Sequence, residues 1–182
     1  MRSNILAAPA ILILILLTFG CGSEASEDQT VQNSISPNSF AAEDFRLEWE
    51  FDEDNVTFTA SAPTTGWIAI GFDPSAAMKD ANIIIGYVED GSLYISDHWG
   101  DGHTSHKADT ELGGTDDVTA IEGSEEDGAT VMSFSIPLES ADSFDKVLAD
   151  GMEIKVIIAY GPDGADNFSG YHAWAETVEL EL

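Results

Sequence analysis

The alternation of apolar and polar residues from residue 45 onward constrains the fold of this chain more than any other feature. Apolar and charged residues alternate over 45–51, where Phe45, Leu47 and Trp49 are the apolar members, and 56–61 repeat the pattern. Successive side chains of a β-strand point to opposite faces of a sheet. A period of two therefore indicates strands with one buried face rather than helices.

Further apolar segments of strand length follow along the chain. The predicted strands cover 45–51, 56–61, 67–72, 82–88, 92–99, 118–124, 130–136, 153–160 and 173–182. About nine short strands at regular spacing, with little helix, indicate an all-β antiparallel β-sandwich. A β-barrel is the main alternative architecture.

Turn residues separate these strands at the expected places. Asp52 to Asn55 predicts a hairpin turn, and Asp90-Gly91 predicts a tight turn because both residue types tolerate positive φ. Pro137 should end a strand, since it has no amide hydrogen to donate. Residues 100–115 are predicted to be a long loop, and 140–148 a short helical turn.

The N-terminus is typical of an export signal. Arg2 precedes an apolar run over 7–17, and Gly20-Cys21 follows it. The run is too short for a comfortable membrane span, so residues 1–20 are predicted to be a signal peptide of the lipoprotein type. Cys21 is the only cysteine, which favours lipidation at this position over disulfide chemistry. Ordinary cleavage, or retention as an uncleaved anchor, remains the alternative.

The segment that follows is polar and lacks apolar periodicity. Residues 21–42 are predicted to be a flexible tether, because such a composition buries too little surface to offset the entropy of ordering. Residues 43–182 have the size of one domain. We expect an exported domain held by a lipid anchor on a membrane, at the cell surface or in the periplasm.

The charge of the chain is strongly negative. It has 34 acidic and 6 basic residues and a formal net charge of −28. Nucleic acid binding needs a basic surface, so this composition excludes that class of function. The acidic surface favours solubility by self-repulsion, and attraction of a cationic redox partner or of calcium is the functional alternative.

Two side chains far apart in sequence form a possible pair of metal ligands. Met78 follows the apolar segment ending at Phe72, and His172 lies before the last predicted strand. A thioether and an imidazole are a workable axial pair for haem iron. Each also has an ordinary interpretation, since methionine commonly fills irregular gaps in a core and histidine is often a partly buried polar group.

An ordered series of short motifs places these residues in a family context. The motifs are Gly66-Trp67-Ile68-Ala69-Ile70-Gly71-Phe72, then Met78, Gly86-Tyr87, Ser96-Asp97-His98-Trp99 and finally His172. The series resembles the DOMON family, whose members are immunoglobulin-like β-sandwiches that bind haem b or sugars. It is similar to the haem-binding branch, which includes the cytochrome domain of cellobiose dehydrogenase. The resemblance covers essentially the whole domain.

The resemblance implies a function and a set of site residues. Met78 and His172 would ligate the iron of haem b, and Trp67, Phe72 and Tyr171 would contact the porphyrin. The chain has no Cys-x-x-Cys-His motif, so the haem would be bound non-covalently. Such a domain carries single electrons and is not an enzyme by itself. It implies a redox partner protein or a respiratory component.

The loop after the fifth predicted strand offers further candidate ligands. Residues 97–109 contain three histidines (His98, His103 and His106) and three aspartates (Asp97, Asp101 and Asp109). Carboxylates suit calcium, and imidazoles suit zinc or copper. Any of the three histidines is an alternative to His172 as haem ligand.

A second class of function also uses this loop. Trp99, flanked by Asp97 and Asp101, could stack on a sugar ring while the acids bind its hydroxyl groups. The alternative function is therefore a carbohydrate-binding or adhesion module on the same sandwich, without haem. A calcium-stabilised structural domain is a third possibility.

Overall fold

The protein is described by a computed structural model that covers residues 38–182. The predicted signal peptide, the lipidation site at Cys21 and most of the predicted tether lie outside the described residues. No helix among residues 38–182 has the length and hydropathy needed to cross a bilayer.

Two antiparallel sheets pack face to face. The first has the strand order β1-β2-β3-β9-β8 and the second β11-β10-β4-β5-β6-β7. The strands are β1 (Ser39–Ala42), β2 (Phe45–Phe51), β3 (Asn55–Ala62), β4 (Ile68–Phe72), β5 (Asn82–Glu89), β6 (Ser92–Trp99), β7 (Lys107–Ala108), β8 (Thr119–Glu126), β9 (Ala129–Pro137), β10 (Glu153–Tyr160) and β11 (Trp174–Glu181). The predicted all-β sandwich is confirmed, with eleven strands in residues 38–182 instead of about nine.

The two additional strands lie in segments predicted to be irregular. β1 covers the last four residues of the predicted tether and pairs with β2, where Phe40 lies opposite Leu47. Phe40 packs against the core, which explains why the ordered sheet begins before residue 43. β7 is a two-residue strand at the edge of the second sheet, and it pairs with the end of β6.

The predicted helical turn at 140–148 is wrong. The Ser140 hydroxyl accepts the Asp142 N–H at 2.9 Å, and Asp142 Oδ1 accepts the Phe144 N–H at 2.9 Å. These local side-chain bonds satisfy backbone donors without helix formation. The single helix among the described residues, α1 (Asp109–Leu112), falls instead in the predicted loop 100–115.

The apolar residues of the alternating pattern form the core between the two sheets. Leu47, Val56 and Phe58 from the first sheet and Ile70 and Phe72 from the second are fully buried. The Phe58 ring lies 5.1 Å from the Phe72 ring and 5.6 Å from the Phe134 ring, measured between centroids. The apolar face of each strand therefore points to a common interior, as the period of two predicts.

The turn predictions are confirmed. Asp90 and Gly91 both have positive φ, of 51° and 72°, in the two-residue connection between β5 and β6. Asp52 Oδ1 accepts the backbone N–H groups of Asp54 and Asn55 at 2.9 and 2.8 Å in the first hairpin. β9 ends at Pro137, as predicted.

The outermost strands β8 and β11 carry exposed acids. The exposed glutamates are Glu122, Glu125 and Glu126 in β8 and Glu176, Glu179 and Glu181 in β11. Each of these strands has one unpaired edge in its sheet, so acidic side chains lie beside exposed backbone groups there.

Candidate functional site

The face of the second sheet that points away from the first sheet is apolar and contains several small residues. We call it the outer face. The strand registers place these residues on it: Ala69 and Gly71 of β4, Ile83 and Ile85 of β5, and Ile157 and Ala159 of β10. A sheet face that points to solvent is normally polar. The outer face is therefore a platform that a further layer must cover.

Part of that layer is the connection between β10 and β11, residues 161–173. Ala165 and Phe168 of this connection pack on Trp67, Ile85 and Ala159, which form a second apolar cluster separate from the main core. The backbone N–H of Trp67 donates to the Ala165 carbonyl at 3.3 Å. The Trp67 Nε1 atom is buried and makes no hydrogen bond.

Phe168 extends this cover across the outer face. Its ring centroid lies 5.1 Å from that of Tyr87 on β5 and 5.9 Å from that of His98 on β6. The sequence analysis missed this role, because Phe168 is an isolated aromatic residue in an otherwise polar connection. Its isolation as the one aromatic residue of 161–170 is the signal that could have identified it.

Met78 and His172 flank the outer face at opposite ends of the sheet. Residues 73–81, between β4 and β5, carry Met78, and we call them the Met78 connection. Phe72 precedes this connection and pairs with Val156, whereas Trp174 follows His172 and pairs with Tyr160. Tyr160 lies four residues after Val156 along β10, which corresponds to about 13 Å at the rise of a strand. The structure therefore does not bring the two predicted ligands together.

The surroundings of the two side chains differ. Met78 is half-buried, and its backbone N–H donates to the His103 carbonyl at 3.3 Å. This bond ties the Met78 connection to the segment that carries His106, which contacts the outer face. His172 is exposed, and no hydrogen bond or ion pair of its side chain occurs among the described residues. Its imidazole is not committed to another partner.

The three predicted aromatic contacts have three different outcomes. Trp67 is 5% exposed and lies in the cluster on the outer face. Phe72 is fully buried between the sheets against Phe58, so it does not lie on the outer face. Tyr171 is 92% exposed, beside the exposed His172.

His98 of β6 and His106 of the loop that follows it contact each other. The Nδ1 atoms of His98 and His106 are 2.8 Å apart, so one imidazole donates to the other. Burial, followed by the neighbouring His106, lowers the pKa of His98 to about 4, so its ring is neutral at pH 7. The His98 Nε2 atom is buried without a hydrogen-bond partner. His98 is thus a second imidazole available at the outer face.

The predicted sugar platform around Trp99 does not form. Asp97 is 1% exposed, so its carboxylate cannot meet the hydroxyl groups of a sugar at the surface. The Lys146 Nζ atom lies 5.2 Å from the centre of the Trp99 ring, and the Phe144 ring packs edge-on against it at 5.8 Å. Asp101 pairs instead with Lys107 at 3.0 Å.

Comparisons with known proteins agree with the fold. The crystal structure of the cytochrome b domain of pyranose dehydrogenase from Coprinopsis cinerea aligns with a TM-score of 0.58 at 14% identity, covering 76% of each chain. The cytochrome domain of cellobiose dehydrogenase from Myriococcum thermophilum aligns with a TM-score of 0.62 at 11% identity, covering 79% of this chain and 81% of that one. At such low identity these likenesses establish the fold alone.

Curated relatives are longer proteins. The chain is 26% identical over 171 residues to DBH-like monooxygenase protein 2 of Mus musculus, covering 93% of this chain and 27% of the relative. It is 30% identical over 117 residues to DBH-like monooxygenase protein 1 of the same species, covering 64% of this chain and 18% of the relative. The chain thus spans about a quarter or less of these relatives.

A family model establishes the relationship directly. The model described as DOMON domain matches residues 41–161, which run from β1 through β10. This range includes Trp67, Met78, His98 and His106. The chain belongs to the DOMON domain family.

Proposed function

We propose that this protein is a haem b-binding electron carrier whose cofactor lies on the outer face. The observation that carries the proposal is an apolar platform that includes several small residues, with the Met78 thioether at one end and the His172 and His98 imidazoles at its borders. The likeness in fold to cytochrome b domains supports it. The proposal includes no catalytic step, and the activity of the monooxygenase relatives is not part of it.

The side chains at the outer face are of the chemical types that bind haem. Met78 supplies the thioether, and His172 supplies an exposed imidazole with no competing partner. Ala69, Gly71 and Ala159 place no large side chain on that part of the outer face, and the buried, unpaired Trp67 Nε1 is a donor for a polar group of a ligand. Aromatic and apolar walls with a few placed polar atoms are typical of cofactor sites.

The positions of the ligands determine what binding requires. In this structure Phe168 and Ala165 cover part of the outer face, and His172 lies at the end of the sheet opposite Met78. The connection 161–173 must therefore move when the cofactor enters, so that Phe168 leaves the platform and His172 approaches it. Few side-chain bonds hold residues 166–173, and those of Asn167 are to Ser169 within the same segment.

A bound haem with methionine and histidine ligands would supply reversible one-electron transfer at a raised potential. The chain's own part is to hold the two donors and to exclude water with Trp67. If His172 is not the ligand, His98 is the alternative that the structure favours. Its Nδ1 bond to His106 would orient the ring and leave Nε2 free, as partners of ligand histidines commonly do.

The proposal extends to location and partners. We infer that residues 1–20 direct export, that Cys21 carries a lipid anchor, and that the domain exchanges electrons with a redox protein or respiratory component outside the cytoplasm. The apolar run before Cys21 supports this part of the proposal. The strongly acidic surface favours a partner with a basic docking face.

The visible spectrum of the purified protein tests the cofactor and its ligands. We expect protein from haem-replete cells to show a Soret peak and a sharp α-band on reduction. Met78→Ala and His172→Ala should each abolish the six-coordinate spectrum, because each removes one axial donor. His103→Ala, which removes an exposed imidazole from the loop between β6 and β7, is the matched control and should leave the spectrum unchanged.

Two results separate the alternatives. Loss of the spectrum in His98→Ala with retention in His172→Ala would assign the imidazole to His98 and contradict the role of His172. Colourless wild-type protein that also fails to bind added haemin would overturn the proposed function as a whole.

A further inference from the structure

A group of buried and half-buried polar side chains, three of them acidic, lies on the opposite side of β6 from His98. It comprises Asn82, Asp97, Asp109 and Asp145, which we call the buried acid cluster. One carboxylate oxygen from each of Asp97, Asp109 and Asp145 lies within 4.8 Å of the others. Asn82 Nδ2 donates to Asp145 Oδ1 at 2.7 Å, which joins the amide to the group.

The cluster lacks the partners that buried polar groups require. Asp109 is fully buried, Asp97 is 1% exposed and Asn82 is 2% exposed. Neither carboxylate oxygen of Asp97 or of Asp109 makes a hydrogen bond, and neither does the Asn82 Oδ1 atom. Buried polar atoms are almost always paired, and five such acceptors in one place indicate a missing donor or cation.

No positive side chain among residues 38–182 compensates this charge. The ion pairs of the described lysines join Lys79 to Asp80, Lys107 to Asp101 and Lys146 to Asp73. Lys146 follows Asp145 in the chain, yet its Nζ atom lies near Asp73 and the Trp99 ring. The other groups that face the cluster, Asp116, Asp117 and Asp142, are acids as well.

Without a cation, burial disfavours the charged form of these carboxylates. Burial, followed by the charges of Asp145 and Asp109, raises the pKa of Asp97 to about 9. Burial also raises the pKa of Asp109 to about 7. Protonated acids still need hydrogen-bond acceptors, and the geometry shows none for Asp97 or Asp109. A cation would give one oxygen of each carboxylate a partner.

We propose that the buried acid cluster binds a calcium ion, with Asp97, Asp109, Asp145 and the Asn82 Oδ1 atom as ligands. Ca²⁺ takes six to eight oxygen ligands at about 2.3–2.6 Å, so oxygens around one ion lie at most about 5 Å apart. The spacing of the three carboxylates meets that limit. All candidate ligands are oxygens, which disfavours zinc and copper.

The ligands come from four separate elements. Asn82 begins β5, Asp97 lies in β6, Asp109 begins α1, and Asp145 belongs to the connection between β9 and β10. The ion would therefore fasten this connection and α1 to the second sheet, beside the Met78 connection that leads into β5. The neighbouring trio Asp117, Asp142 and Asp145 differs, because Thr115 and Ser140 already donate to its carboxylates.

Metal titration of the purified full chain, stripped with a chelator, tests the site. We expect one Ca²⁺ per chain with a dissociation constant at or below about 1 mM, and a rise in Tm of several degrees on binding. Tb³⁺ should bind in place of Ca²⁺ and give luminescence when tryptophan is excited, because Trp99 lies two residues from Asp97. Excess Ca²⁺ should remove that signal.

Two substitutions distinguish a binding site from a merely acidic region. Asp97→Asn keeps the shape of the side chain and removes its charge, so we expect at least about a tenfold loss of Ca²⁺ affinity. Without calcium this variant should be at least as stable as the wild type, since a neutral amide replaces an uncompensated acid. Glu111→Gln makes the same charge change on an exposed residue of α1 and should bind Ca²⁺ as the wild type does.

The proposal is overturned if about 10 mM Ca²⁺, above the range of extracellular modules, changes neither Tm nor Tb³⁺ luminescence. It is equally overturned if Asp97→Asn and Glu111→Gln bind Ca²⁺ alike. The calcium response does not depend on haem, so a colourless protein that binds Ca²⁺ would reject the proposed cofactor and retain this site.

Discussion

Phe72→Ala is expected to lower the free energy of unfolding by about 3–5 kcal/mol, the usual cost of removing a buried phenylalanine ring. Phe72 has no exposed surface and packs between the sheets against Phe58 at 5.1 Å. Removal of the ring leaves a cavity that the paired strands on both sides cannot close. Urea unfolding followed by far-ultraviolet circular dichroism measures the change.

Tyr171→Ala is the matched comparison, because the sequence assigned both aromatics to the same site. Tyr171 is 92% exposed, so its removal should change the stability by less than about 0.5 kcal/mol. A small effect at Phe72, comparable to that at Tyr171, would contradict its place in the main core.

Gly100→Ala is the second substitution with a large expected effect, of about 3 kcal/mol or more in stability. A Cβ atom at Gly100 would overlap the Met78 carbonyl oxygen and lie 2.7 Å from the Met78 carbonyl carbon. These are backbone atoms, so they cannot rotate away as the end of a side chain would. The Asp80 N–H also donates to the Gly100 carbonyl at 2.8 Å, which holds the two segments together.

The Met78 connection must therefore shift or detach in this variant. We expect a lower Tm and, in haem-loaded protein, loss of the methionine contribution to the spectrum. Gly102→Ala is the control, because its Cβ atom would meet only the Ser105 side chain, whose hydroxyl can rotate. Equal behaviour of the two alanine variants would show that the close approach at Gly100 does not hold Met78 in place.

Local patterns in the sequence were sufficient to predict the architecture. Alternation in 45–51 and 56–61 predicted β2 and β3, and Asp90-Gly91 predicted the turn between β5 and β6. Each of these elements depends on residues close together in the chain. The helix was misplaced because the side chains of Ser140 and Asp142 supply hydrogen bonds that no hydrophobic period reveals.

The candidate sites depend on contacts between distant segments, which the sequence does not specify. Neither the pairing of β10 with β4 nor that with β11 was predictable, and both determine that Met78 and His172 lie at opposite ends of the sheet. One member of the buried acid cluster could have been recognised from the sequence. Asp97 occupies a position that alternation with Leu93 and Ile95 assigns to the interior, where a carboxylate needs an explanation.

The glutamates of β8 and β11 have a consequence for behaviour in acid. Each strand presents a row of free amide and carbonyl groups on which a second molecule could continue the sheet. At neutral pH, like charges keep such molecules apart. Near the isoelectric point of about 4.1 this repulsion disappears. Intermolecular strand pairing, and with it precipitation or fibre growth, should then start from these two borders.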